Sequence, residues 1–279
     1  MDEWPLHGWA GLFLIAICWP LNWILPGPRT HLLFFPLWLG FILTFDALVF
    51  LRKGHSLLSR NRNRFISLFL ISVPVWWIFE FLNWRVQNWH YLGREHFSNL
   101  EYACLASLNF STVIPAVFEA SELISTFLRK PLGENLRFQV TPSLLRGMAA
   151  LGVVSLALLL LWPRYFFPFL WISLFLILDS LNYALGHRSI LGYVSQGEWR
   201  PLLSLWGGVM ICAFFWEFWN YWAYPKWFYT IPFFDFLHIF EMPLLGYGGY
   251  LPFSLELFAF YHLVEGLLRL RGPYDVLPY

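Results

Sequence analysis

The chain has 279 residues, 58% of them hydrophobic and 22% aromatic, with only 13% charged and a net charge of +1. Soluble domains carry about 25% charge. That shortfall, a mean hydropathy of +0.56 and recurrent apolar runs of about 20 residues predict an all-α polytopic membrane protein. They argue against a soluble enzyme and a nucleic-acid partner.

In chain order the expected spans are 8–25, 32–51, 65–84, 105–128, 144–162, 165–185, 202–222 and 251–270. They are helical because lipid offers the backbone no hydrogen-bond partners. The first follows Met1-Asp2-Glu3 without a basic segment and reads as a retained span, not a cleaved signal. Eight spans put both termini on one side. Of the 18 Lys and Arg residues, 13 fall there, among them Arg52, Lys53, Arg129, Lys130 and Arg271; Arg29, Arg85, Arg94, Arg164 and Lys226 fall opposite. The positive-inside rule then places both termini in the cytoplasm, the expected setting being a bacterial inner membrane. Cys18, Cys104 and Cys212 form no CxxC pair and lie in apolar stretches, against a disulfide or thiolate-metal framework.

The two halves echo each other. Glu80/Glu217, Phe81/Phe218, Asn83/Asn220, Pro115/Pro252 and Glu119/Glu256 share an offset of 137 residues. Trp89/Trp227, Tyr91/Tyr229, Arg64/Arg200, Asp46/Asp179 and Gly54-His55/Gly186-His187 recur at nearby offsets. The pattern predicts two tandem four-helix repeats, 1–135 and 136–279. With an even number of spans each, they are parallel and related by an axis along the membrane normal, unlike inverted-repeat transporters.

An intramembrane carboxyl costs about 2.5–3.5 kcal/mol on insertion scales and marks a functional site by default. Glu80, Glu119, Glu217 and Glu256 are therefore the candidate catalytic residues, expected to line one chamber. The competing expectation for each is structural glue to an amide, an indole or a carbonyl. Asn83 and Asn220 stand at i+3 from Glu80 and Glu217, where an amide can orient the carboxyl. Pro115 and Pro252 precede Glu119 and Glu256 by four residues and are expected to kink their helices. Trp77, Trp89, Trp216, Trp227 and Tyr229 complete the candidate substrate-binding set, although Trp222 to Tyr229 also suits an interfacial belt. Aromatic faces attract a cation by about 0.5–2 kcal/mol each, and a carboxyl away from water can act as general acid. Asp46 and Asp179 are expected on loop arginines such as Arg64 and Arg200. His238 and Glu241 form a lone reversed Glu-x-x-His pair, a weak metal signal, so no metal or other cofactor is expected. P-loop, GxGxxG, HExxH and GxSxG motifs do not occur.

This order of motifs resembles the integral-membrane lycopene cyclase domain of carotenoid biosynthesis. That family carries Trp-Asp, then Trp-x-Tyr, then Pro-x-Glu-Glu in each of two units. Here Trp216-Glu217, Trp227 with Tyr229, and Pro252 with Glu256 look like that series, as do Phe79-Glu80, Trp89 with Tyr91, and Pro115 with Glu119. Three features depart from it: the acid stands four residues after proline rather than two and three, the segment between Trp-x-Tyr and proline is longer, and each half has four spans where the family's units usually have three. The resemblance implies an isomerase acting on a polyisoprenoid or carotenoid-like lipid through carbocation chemistry, in the bilayer. A non-catalytic lipid- or pigment-binding scaffold and a proton-coupled transporter remain the alternatives, and self-association as a homo-oligomer is left open.

Overall fold

A computed structural model describes residues 3–128 and 133–270. Met1, Asp2, Arg129, Lys130 and Arg271 lie outside the described residues, as does 271–279 of the second expected repeat. The protein is an all-α polytopic integral membrane protein. Seven helical stretches are long and apolar enough to cross a membrane: Leu6–Ile24, Thr30–Lys53, Arg62–Val86, Asn99–Ser125, Pro142–Leu161, Pro163–Ala184 and Arg200–Tyr221. The eighth expected span, 251–270, is a helix over Tyr250–Leu267 but falls short of that apolarity. Glu256, His262 and Glu265 lower it, and all three are buried against other helices.

In chain order the helices are α1 (Leu6–Ile24), α2 (Thr30–Lys53), α3 (Leu57–Arg60), α4 (Arg62–Val86), α5 (Asn99–Phe110), α6 (Val113–Ser125), α7 (Pro142–Leu161), α8 (Pro163–Phe166), α9 (Ser173–Ala184), α10 (Ile190–Ser195), α11 (Arg200–Tyr221) and α12 (Tyr250–Leu267). Local chemistry sets their ends. Gly54 stops α2 at φ 75°, a left-handed conformation that glycine adopts without steric cost. Ser98 and Glu101 form a capping box at the start of α5. Thr141 accepts from Leu144 N–H ahead of Pro142, the first residue of α7.

The expected span 105–128 begins earlier, at Asn99, and is broken at Ser111–Thr112 into α5 and α6, just ahead of Pro115. The expected kink at Pro252 is absent. Pro252 lies in the first turn of α12, where a missing N–H removes no ladder bond. The span 165–185 is likewise interrupted: residues Phe167–Trp171 form a 3-10 turn, so α9 starts inside the bundle.

Helices α1 and α7 lie outermost. Gly8 and Gly11 let α1 close on α2, and Gly152 lets α7 close on α9. The inner layer is α6, packed on α2, α4 and α11, and α12, packed on α4, α9 and α11. At one end, the near end, lie the start of α1, α3, α10 and the end of α12. At the opposite, far end two strands pair antiparallel, β1 (Trp89–Leu92) with β2 (Lys226–Tyr229). Trp89 faces Tyr229 and Tyr91 faces Trp227. This ribbon ties the first half of the chain to the second.

Candidate functional site

The far end holds a partly open chamber of about 480 Å3 between the two halves of the chain. Its volume falls in the usual range for small-molecule sites, about 300–1,000 Å3. Trp76, Trp89, Trp171, Trp216, Trp227 and Phe253 line it, together with Tyr91, Tyr229 and Tyr250. Phe253 is the hub. Its ring centroid lies 5.4–6.4 Å from those of Trp76, Phe79, Trp171, Trp216 and Tyr250, the spacing at which each aromatic pair adds about 0.5–1.5 kcal/mol. Arg94, Lys226 and His31 also line the chamber. Arg94 lies over the Tyr102 ring, 4.1 Å from its centroid, and donates to Phe97 O and Asn99 Oδ1.

Two carboxyls stand directly behind this wall. Glu80 Oε1 accepts from Trp76 Nε1 at 3.0 Å, Trp89 Nε1 at 3.0 Å and the Tyr91 hydroxyl at 2.5 Å. Glu217 Oε1 accepts from the Tyr229 and Tyr250 hydroxyls at 2.7 Å each and from Trp227 Nε1 at 3.5 Å. Each carboxyl thus gathers three donors on one oxygen, and the donor rings present themselves to the chamber. The second oxygen of Glu217 is buried without a partner. Burial, and then the facing Glu80 or Glu217 charge, pushes the Tyr91 and Tyr229 hydroxyls well above the ordinary tyrosine range. Both therefore remain donors through the neutral range.

Asn83 and Asn220 do not touch these carboxyls, contrary to the i, i+3 expectation. Asn83 accepts from Asn88 N–H and Trp89 N–H and donates to Trp89 O. Asn220 accepts from Trp227 N–H at 3.0 Å and donates to Trp227 O at 2.8 Å. The physical reason is competition: backbone groups leaving a helix need partners, and the amide meets both polarities at once. Each asparagine therefore pins the Trp-x-Tyr strand that delivers donors to the glutamate.

The four glutamates do not share one chamber. Glu119 and Glu256 lie further along α6 and α12, and neither lines it. Glu256 accepts from Phe175 N–H at 3.4 Å, capping α9 where that helix starts inside the bundle. Glu119 sits against Asp46 and Glu122. Of the expected binding residues, Trp89, Trp216, Trp227 and Tyr229 line the chamber. Trp77 points elsewhere and donates to Ser107 Oγ at 3.0 Å. Tyr91 was legible from the same Trp-x-Tyr motif as Tyr229. Tyr250 and Trp171 carried no sequence signal, because the 3-10 turn and the loop before α12 bring them in.

The expected aspartate–arginine pairs are also replaced. Asp46 accepts from Leu58 N–H at 3.0 Å, and Asp179 accepts from Ile190 and Leu191 N–H at 2.7 and 2.8 Å. A short helix start offers free amides closer to hand than a flexible guanidinium. Arg64 instead bonds Glu265, and Arg200 bonds Glu198. His238 pairs with Asp235 and Glu241 with Lys226, so the two are not turned on a common point. Comparison with known protein families, with curated proteins and with solved structures found no match.

Proposed function

We propose that this protein takes one end of an apolar, polyisoprenoid-like lipid into the far-end chamber and isomerises it by proton transfer, as a carotenoid end-group cyclase does. The observation that carries the reading is the pair of girdled carboxyls, each bound by tyrosine hydroxyls whose residues line a chamber rich in aromatic rings. Tyr91 with Glu80, and Tyr229 and Tyr250 with Glu217, are the proton-handling groups. The hydroxyls face the ligand, and the glutamates hold them and exchange protons behind them. One group adds a proton to an alkene, the new ring bond forms on the resulting cation, and the other group removes a proton. Atoms and electrons balance without an oxidant or reductant. Protonating an alkene from such groups is uphill, so the aromatic faces must lower the cation's energy.

The same proposal places the protein in a bacterial inner membrane with both termini in the cytoplasm, the near end facing the basic side. It also reads the chain as two parallel copies of one four-helix unit. What supports this is matched local bonding: Asp46 and Asp179 cap the short helices α3 and α10, Ser56 and Ser189 start them, and Asn83 and Asn220 grip equivalent strands. A second reading, a lipid- or pigment-binding scaffold, is favoured by one fact: none of the four glutamates lines the chamber.

Expression in lycopene-accumulating cells, with analysis of the extracted pigments, tests the reading. Cyclised products of unchanged mass are expected. Unchanged lycopene beside demonstrably folded protein removes that substrate, and an unaltered lipid co-purifying with the protein moves the reading to the scaffold.

A further inference from the structure

Glu119 is 1% exposed, and neither of its carboxyl oxygens has a hydrogen-bond partner. Asp46 on α2 is buried with it in the interface of α2 and α6, and its Oδ1 also lacks a partner, so the two carboxyls share one dry site. Asp46 is itself fully buried. Its Oδ2 accepts from Leu58 N–H, while Oδ1 stands 2.9 Å from His7 Nε2, off the hydrogen-bond axis. His7, at the start of α1 on the near end, keeps 22% of its side chain exposed. Glu122, one turn beyond Glu119, is already neutralised: Arg60 donates to both of its oxygens at 2.7 and 2.9 Å, and Lys53 lies 3.3 Å away.

The charged groups around Glu119 are therefore Asp46 and Lys53 on α2, Arg60 on α3 and Glu122 on its own helix. Arg64, at the start of α4, is engaged with Glu265, and α11 presents Gly207 and Gly208 to Ile124 and Ser121. The cations present are spent on Glu122. Both oxygens of Glu119 and Oδ1 of Asp46 are left without a hydrogen-bond donor. Glu256 escapes this on α12 because α9 begins beside it and offers the Phe175 amide. Helix α2 runs unbroken from Thr30 to Lys53 and leaves Glu119 no such amide.

Like charges in contact in a dry site cannot both persist, and one proton between them makes a donor where there was none. A metal ion is the poorer occupant. It needs several more oxygen ligands, and among the described residues no group of three or more His, Cys, Asp or Glu is placed to hold one.

We propose that Asp46 and Glu119 bind one proton between them, loaded from the near end through His7. The site is distinct from the chamber and stands about 9 Å below its wall, counting six residues along α6 from Val113 at the helical rise.

Infrared difference spectroscopy on the purified full chain reads this directly. A protonated carboxylic acid has a deuterium-sensitive carbonyl stretch that a carboxylate lacks. Glu119→Gln and Asp46→Asn are each expected to lose the same single-carboxyl band, and the double variant no more than that one. Retention of the band in both variants overturns the proposal. Glu119→Gln keeps a donor facing Asp46, so it is expected to unfold at or above the wild-type temperature, and Glu119→Ala below it; the reverse order also overturns the proposal. The wild type decides if the variants fail to fold: unfolding temperatures should match in sodium and choline chloride, and stabilisation by sodium would identify a metal ion instead. His7→Ala is expected to slow the deuterium shift of the band, and an unchanged rate overturns the loading route.

Discussion

Replacing Asn220 with alanine tests whether the far-end chamber is built as described. Asn220 is 2% exposed and makes both of its bonds to one residue, accepting from Trp227 N–H and donating to Trp227 O. Asn220→Ala leaves one amide and one carbonyl without those partners. At about 1–3 kcal/mol for each buried group left unsatisfied, the loss is about 2–6 kcal/mol. Asn220→Asp keeps an acceptor for the amide but loses the donor to the carbonyl and sets a buried carboxylate against it, so it should cost at least about 1–3 kcal/mol. Asn83→Ala breaks three bonds, to Asn88 N–H, Trp89 N–H and Trp89 O, and should cost at least as much as Asn220→Ala. Equilibrium unfolding in mixed detergent, followed by tryptophan fluorescence, gives the free energies. Because the asparagine positions Trp227 and Tyr229, quenching of tryptophan fluorescence by an apolar polyene should weaken in parallel. An Asn220→Ala protein within about 0.5 kcal/mol of wild type, the span of ordinary surface substitutions, would show that the side chain does not anchor the strand.

Four further outcomes are expected. A methyl added at Gly208 would stand 2.4 Å from Ser121 Oγ and 2.5 Å from Ser121 N, so Gly208→Ala should destabilise by about 1–3 kcal/mol. Gly147→Ala on α7, with nothing within 4 Å, should be neutral or stabilising by up to about 1 kcal/mol; thermal unfolding that ranks them the other way refutes the α6–α11 contact. Tyr229→Phe should lower product formation about 10²–10⁴-fold with ligand quenching retained, and an unchanged rate removes the hydroxyl from the proton path. Trp216→Leu should lower the rate by the about 0.5–2 kcal/mol of one cation–π contact, and an equal loss of binding would make the ring a packing residue only. Tyr91 and Tyr229 have raised folded values, so their contribution to stability is complete below the ordinary tyrosine value of about 10 and is lost progressively as pH rises from there through the higher folded one. Ultraviolet titration of Tyr91→Phe should therefore match wild type in amplitude near pH 10, and a smaller amplitude would place Tyr91 among the freely titrating tyrosines.

Much of the architecture is legible because lipid enforces a simple rule: apolar stretches of sufficient length become helices. The seven longest apolar helices and the acid-asparagine-aromatic motifs follow from that rule and from counting. Partner choice does not. Asn83 was one helical turn from Glu80 in the sequence, yet it turned to the backbone of Trp89, because helix spacing says which face a residue occupies and not who competes for it there. Asp46 and Asp179 likewise chose amides of α3 and α10 over arginines. The division of the four glutamates was hidden for another reason. Similar depth along similar helices does not fix rotation about the bundle, and the interruption at Phe167–Trp171, which gives Glu256 its partner, has no counterpart in α2.

Helix α12 has a consequence for biogenesis. It carries Glu256, His262 and Glu265 along 18 residues and is too polar to match the other seven on apolarity. Charged residues at a helix centre disfavour uptake by lipid alone, so protein must receive this helix. The receiving groups are already in place on earlier segments: the Phe175 amide for Glu256 and the Arg64 guanidinium for Glu265. Synthesis therefore delivers the partners first and the helix that needs them afterwards. A chain interrupted before α12 would leave Arg64 without its carboxylate and one side of the chamber unbuilt.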